Sequence, residues 1–220
     1  MTRTLKIAWS GGKVTAKLQV ADSPTAVLLA HGAGAGQDHR FMVTMRNGLA
    51  VSGVTTMTFN YAYTDGGRRA PDRLPRLLEV HHAAYERLRD YADRVVLAGK
   101  SMGGRVGSHL AGGVGDEPGR TGDELAGVVY LAYPLVPLGK SEPRSVEHLQ
   151  RIDAPQLFIA GTRDRLSPPP LITDVAAALR RATVHVIDDA DHGFHVPKRT
   201  GRTDQDVMKE LIELVAATVA

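Results

Sequence analysis

The residues of this chain best suited to chemistry gather around one serine. Gly99-Lys100-Ser101-Met102-Gly103 follows directly on the apolar run Arg94–Ala98 and leads straight into a helical pattern over Met102–Ala111. Gly-x-Ser-x-Gly between a strand and a helix is the sequence form of a sharp turn that presents a serine hydroxyl as a nucleophile. So tight a turn needs almost no side chain two residues to either side. The helix behind it offers backbone N–H groups and a positive dipole end to a developing oxyanion. Gly99-Lys100-Ser101 is also the tail of a phosphate-binding Walker A loop, but that motif needs a glycine where Arg94 stands. The plainest alternative is a structural serine buried in a tight turn, which would need no catalytic companions.

Companions are present. A base and a group that orients it should follow in the order Ser, Asp or Glu, His. Asp164 lies in Gly161-Thr162-Arg163-Asp164, just past the run Gln156–Ala160, at the strand end where open α/β sheets place their sites. Asp153, before that run, stands at the wrong end. His192 occurs in Asp191-His192-Gly193-Phe194, in the loop after the last strand, with His195 as its rival. His192 is preferred, because a following glycine lets the loop turn the ring toward the site and leaves Phe194 to pack. Upstream, the run Ala26–Ala30 ends in His31-Gly32-Ala33-Gly34-Ala35-Gly36. A glycine-rich loop here supplies one oxyanion N–H, expected from Ala33, and Met102 supplies the other. A dinucleotide fingerprint would need glycine where Gln37 stands and an acid where Asn60 stands. A metal site built from Asp189, His192 and His195 would leave Ser101 and its turn without a purpose. No cofactor is required and no metal is expected.

These residues need a frame, and the apolar pattern provides one. Leu5–Trp9 and Val14–Val20 predict a hairpin around Gly11-Gly12, the second strand alternating Val14, Ala16, Leu18 and Val20. Beyond Pro24 come short continuous apolar runs at Ala26–Ala30, Thr55–Phe59, Arg94–Ala98, Gly127–Ala132, Gln156–Ala160 and Thr183–Ile187. Such runs suit strands buried on both faces of a parallel sheet. Helical patterns fill the gaps: one capped by Asp38 that buries Phe41, Met42, Met45 and Leu49; one keeping Leu74, Leu77, Leu78, Tyr85 and Leu88 on a face; one begun by Pro168–Pro170; and a last over Val207–Val215. The alternation predicts a doubly wound α/β fold, mostly parallel, with an antiparallel N-terminal hairpin and helices on both faces. No helical block is left over for a lid. Gly112–Glu124 reads as a mobile loop, and Pro134–Leu149 and Asp188–Thr203 as long loops after strands, the kind that tends to carry function.

Composition narrows the rest. A chain of 220 residues is expected to form one domain with a proper core. Lysine and arginine exceed aspartate and glutamate by 27 to 24, and the basic pairs are scattered, which argues against a nucleic-acid binder. With no cysteine there is no disulfide, thiolate metal site or cysteine nucleophile. Neither a signal-peptide core nor a bilayer-length apolar run is present, so a cytoplasmic protein without membrane association is expected.

The turn Gly99–Arg105, the loop His31–Gly36, and the segments Gly161–Asp164 and Asp191–Phe194 resemble the α/β-hydrolase superfamily. More narrowly they resemble its lidless dienelactone-hydrolase-like branch, including small bacterial proteins similar to the hydrolase-like domain of a subunit of the NSL histone-acetyltransferase complex. The resemblance covers the chain from Leu5 to the last helix. It implies hydrolysis of small acyl esters or thioesters, with Ser101, His192 and Asp164 as nucleophile, base and orienter. Dienelactone hydrolases proper carry cysteine where Ser101 stands, which moves the expectation away from dienelactones. Acyl transfer by the same triad, or a binding protein that keeps the fold without the chemistry, are the alternatives. Lys100, Arg163 and Arg165, joined by Arg105, Arg68 and Arg69, predict a shallow positive mouth that prefers short anionic acyl groups.

Overall fold

The structure, a computed structural model, describes residues 1–219. Its eight strands form one sheet in the order β1-β2-β4-β3-β5-β6-β7-β8. They span Thr2–Trp9, Gly12–Gln19, Thr25–Ala30, Thr55–Phe59, Arg94–Lys100, Leu125–Leu131, Gln156–Gly161 and Ala182–Ile187, numbered β1 to β8 in turn. β1 pairs with β2, and β2 with β4, antiparallel; every other pairing is parallel. The continuous runs are buried end to end in β3 and β4, as burial on both faces requires. In β2, by contrast, Val14, Ala16 and Leu18 are buried while the residues between them are not. Val20 falls outside the strand and is exposed.

Six helices lie against the sheet: α1 Arg40–Val51, α2 Ala62–Asp65, α3 Leu74–Arg89, α4 Met102–Gly112, α5 Pro169–Ala177 and α6 Asp204–Ala216. α3, α4 and α5 pack in one hydrophobic layer, with Tyr85, Val106, Leu110 and Ile172 among its members. α1 and α6 pack in the other, through Met45, Leu49, Val207 and Leu211. Because the helices after β3 and β5 leave to opposite faces, a crevice opens between these neighbouring strands at their carboxyl ends. The loop His31–Gly36 and Ser101 both emerge there.

Local capping corrects one expectation. His39, not Asp38, caps α1, its Nδ1 accepting from the Phe41 N–H at 3.3 Å. Asp38 instead pairs with Lys17. α6 begins with a capping box in which Thr203 and Asp206 satisfy each other's backbone N–H groups. Among the described residues, no helix is long and apolar enough to cross a membrane.

Candidate active site

Ser101 stands alone between β5 and α4, with φ 49° and ψ −114°. A side chain in this region carries strain on the order of 1–3 kcal/mol and persists only where its surroundings over-determine it. They do. The Ser101 N–H donates to the Leu131 carbonyl at 2.9 Å, and its own carbonyl accepts from the Arg105 N–H at 3.1 Å. A Cβ on Gly99 would lie 2.2 Å from the Gly104 nitrogen, and one on Gly103 would lie 2.4 Å from the Ala30 carbonyl oxygen. Strand, turn and helix therefore interlock at glycines that admit no side chain.

The serine hydroxyl meets His192, whose Nε2 lies 2.9 Å from Ser101 Oγ. On the other side of the ring, Nδ1 lies 2.7 Å from Asp164 Oδ2. A carboxylate only accepts, so Nδ1 carries the proton and Nε2 is left free to accept from the serine. Asp164 is 3% exposed, and its second oxygen accepts from the N–H groups of Leu166 (2.8 Å) and Ser167 (3.1 Å). Both oxygens of this buried carboxylate are thus engaged, which fixes the imidazole in one tautomer and one orientation.

The His192 loop is held from three directions. Asp191 Oδ1 accepts from the Gly193 and His195 N–H groups at 2.8 and 2.9 Å. The Lys100 ammonium donates to the His192 carbonyl at 2.5 Å and lies 5.4 Å from the centre of the Phe194 ring. Phe194 in turn stacks on Phe41 with ring centres 6.1 Å apart. Phe194 packs as expected, but the left-handed residue of this turn is Phe194 itself (φ 64°), not Gly193. His195 turns elsewhere: its Nδ1 lies 2.7 Å from Asp204 Oδ2. Among the described residues no group of three or more acidic or histidine side chains is placed to hold a metal ion.

One contributor went unread in the sequence. His31 is fully buried, and its Nε2 accepts from the Tyr61 N–H at 3.2 Å. Its Nδ1–H therefore donates to the Gly32 carbonyl at 2.8 Å. Burial pushes the His31 pKa down to about 4, against the opposing Gly32 bond and Asp65, so the ring is neutral. The Gly32 carbonyl and the Ala33 N–H belong to one planar peptide. By gripping the carbonyl, His31 sets the direction of the Ala33 N–H. The only sequence signal was a histidine at the strand end next to the glycine run.

A cavity of about 800 Å³ opens beside Ser101 and His192. Of the basic residues expected at its mouth, Lys100 lines it, its ammonium donating to the His192 carbonyl. Arg163 and Arg165 are exposed and do not line the cavity; Arg163 donates to the Asp189 carbonyl at 3.3 Å. Arg105, Arg68 and Arg69 are also off its wall, Arg68 pairing with Asp72 at 2.7 Å. The arginines expected at the mouth are thus not on it; Arg40, Lys100 and Lys209 are its basic residues, around a largely apolar recess between α1 and α6.

The family profile described as an alpha/beta hydrolase domain matches residues 23–220. The chain belongs to the alpha/beta hydrolase domain family. Solved structures of similar build include an α/β serine hydrolase without a lid from Xanthomonas campestris, with TM-score 0.71 and 19% identity over 99% of this chain and 95% of that one. An α/β serine hydrolase homologue from Coxiella burnetii superimposes with TM-score 0.72 at 16% identity, covering 99% of this chain and 97% of the other. An esterase from Pyrococcus furiosus gives TM-score 0.75 at 16% identity, covering 99% and 91%. This member of the family shares the fold of these neighbours, one of which is described as having no lid.

Proposed function

We propose that the protein is a serine hydrolase that cleaves acyl esters or thioesters of small molecules through an acyl-enzyme. The observation that carries this reading is the unbroken chain Ser101 Oγ–His192 Nε2 (2.9 Å) and His192 Nδ1–Asp164 Oδ2 (2.7 Å), mounted on a strained turn. His192 takes the hydroxyl proton as Ser101 Oγ attacks the acyl carbon; the carbonyl π pair moves to oxygen, making the tetrahedral oxyanion. The N–H of Met102, which opens α4 and so lacks an acceptor within the helix, and the N–H of Ala33 receive that charge. As the oxyanion collapses, the bond to the leaving group breaks and His192 returns the proton to it. Water repeats the sequence on the acyl-enzyme, with His192 as base, releasing the acid and restoring Ser101.

The lidless build and the Gly99–Arg105 turn support placement near the dienelactone-hydrolase-like branch and the small bacterial proteins similar to the NSL-subunit domain. A serine nucleophile favours ordinary esters over dienelactones. The esterases among the structural neighbours, one from Butyrivibrio proteoclasticus holding ferulic acid, support ester cleavage as the reaction class. The test is labelling by a fluorophosphonate probe together with turnover of p-nitrophenyl esters. Both should vanish in Ser101→Ala while the circular dichroism spectrum stays. Wild-type turnover in that variant would overturn the assignment.

A further inference from the structure

We infer that the substrate carries an extended apolar chain, and that this chain lies in the cleft between α1 and α6; the inference rests on the serine-hydrolase reading of Ser101. The cleft begins at Ser101 and runs into the α1–α6 layer. Its wall is formed by Phe41 and Met42 of α1, Met208, Leu211 and Ile212 of α6, and Phe194 of the histidine loop. All six side chains are apolar, and the two methionines are flexible enough to fit a chain of varying shape. The two helices also give the wall polar residues, Arg40 and Thr44 of α1 and Gln205 and Lys209 of α6, all of them exposed. A volume of about 800 Å³ lies within the range of sites that enclose most of a small-molecule ligand, far more than an acetyl group fills.

The cleft also has an end. α1 and α6 approach so closely further along that a Cβ on Gly48 would lie 2.3 Å from Ile212 Cδ1. The helices therefore touch at Gly48 and Ile212 and part toward the active site. From Gln205 to Ile212 is seven residues of α6, about 10 Å of helix. An extended chain of roughly eight carbons spans that distance. Such a chain would cover the exposed parts of Met208 and Ile212, and each methylene it removes from water would raise kcat/KM roughly fourfold. This lengthens the acyl group expected from the sequence.

The test compares p-nitrophenyl acetate, butyrate, octanoate and palmitate, with ethyl and octyl acetate as a second pair that carries the chain on the alcohol side. We expect octanoate, or octyl acetate, to exceed its short counterpart at least tenfold in kcat/KM, with no further gain at palmitate. Whichever pair shows the gain tells which side of the ester enters the cleft. Met208→Trp should cut the long-to-short ratio at least tenfold, and Ile212→Ala should shift the optimum to longer chains, both judged on variants with unchanged circular dichroism. Octanoate binding to Ser101→Ala by calorimetry, weakened at least tenfold by adding Met208→Trp, reads the cleft without catalysis. Ser101-dependent turnover that is as fast on both short esters as on their long counterparts would overturn the inference and leave the hydrolase standing. Absence of any Ser101-dependent labelling or turnover would remove the hydrolase reading, and the inference with it.

Discussion

Lys100 holds His192 by the backbone: its ammonium donates to the His192 carbonyl from the residue just before Ser101. One side chain thus ties the end of β5 to the loop that carries His192. Burial lowers the Lys100 pKa to about 8, against the opposing pull of Asp164 and Asp191. The charged donor is therefore present below pH 8 and is lost as pH rises through it. Lys100→Met should lower kcat roughly ten- to a hundredfold with a smaller change in KM, since a misplaced base costs rate rather than binding. The wild type should lose kcat above pH 8, and the variant should lack that alkaline limb. Steady-state kinetics from pH 6 to 10 measures both.

The two histidines of the loop separate cleanly. His192→Ala should lose on the order of 10³-fold or more in kcat. His195→Ala removes a partner of Asp204 near the start of α6 and should stay within about threefold of wild type. Asp164→Asn should cost about 10⁴-fold, because an amide can donate to the imidazole and favour the wrong tautomer. A dead His195→Ala enzyme beside an active His192→Ala enzyme would reverse the assignment of the base.

Acid should weaken the fold over a defined window. Burial, with His31 and His82 nearby, pushes His81 down to about 3, and burial pushes His31 to about 4. His109 and His148 are lowered to about 4 and 3, again mainly by burial. An unfolded histidine takes its proton near 6.5, so on acidification the unfolded chain binds protons first. The stability contributed by these neutral rings is complete above about pH 6.5 and is lost as pH falls toward 4 and 3. Urea midpoints measured from pH 7 to 4 should fall steadily. His81→Phe should flatten that slope, whatever it does to the midpoint at pH 7.

Gly103→Ala should be destabilising and nearly inactive. Its Cβ would meet the Ala30 carbonyl oxygen at 2.4 Å, and backbone cannot swing aside as a side chain can. A cost of about 1–3 kcal/mol is expected, as for other overpacked sites, with kcat down at least a hundredfold because α4 and Ser101 shift together. Thermal melts and ester kinetics on the same preparation check the pair.

Continuous apolar runs such as Thr55–Phe59 read correctly as strands because a parallel sheet buries both of their faces. The edge strand Thr2–Trp9 was seen only from Leu5, since its first residues are exposed and polar. α2 is a single turn, too short to show a period. Ser101, Asp164 and His192 were legible because each follows a strand whose carboxyl end points to one crevice, and the structure brings them within hydrogen-bond reach. Arg163 and Arg165 misled, because a position on a loop does not say which way its side chain leaves. The cleft was invisible for a different reason. Met208 has the spacing of a core residue, and a sequence pattern cannot tell a side chain facing a neighbour from one facing a void.

The separation of the two hydrophobic layers bears on how such a protein can change. The helix behind Ser101 packs through Val106 and Leu110 into the α3–α4–α5 layer, while the cleft lies in the α1–α6 layer across the sheet. On the proposed function, substitutions at Met208 or Ile212 can reshape what fits without disturbing the backbone that holds Ser101. The glycines around Ser101 admit no such freedom. Molecular preference can drift along one side of the sheet under whatever selection acts on it, while the reaction stays anchored on the other.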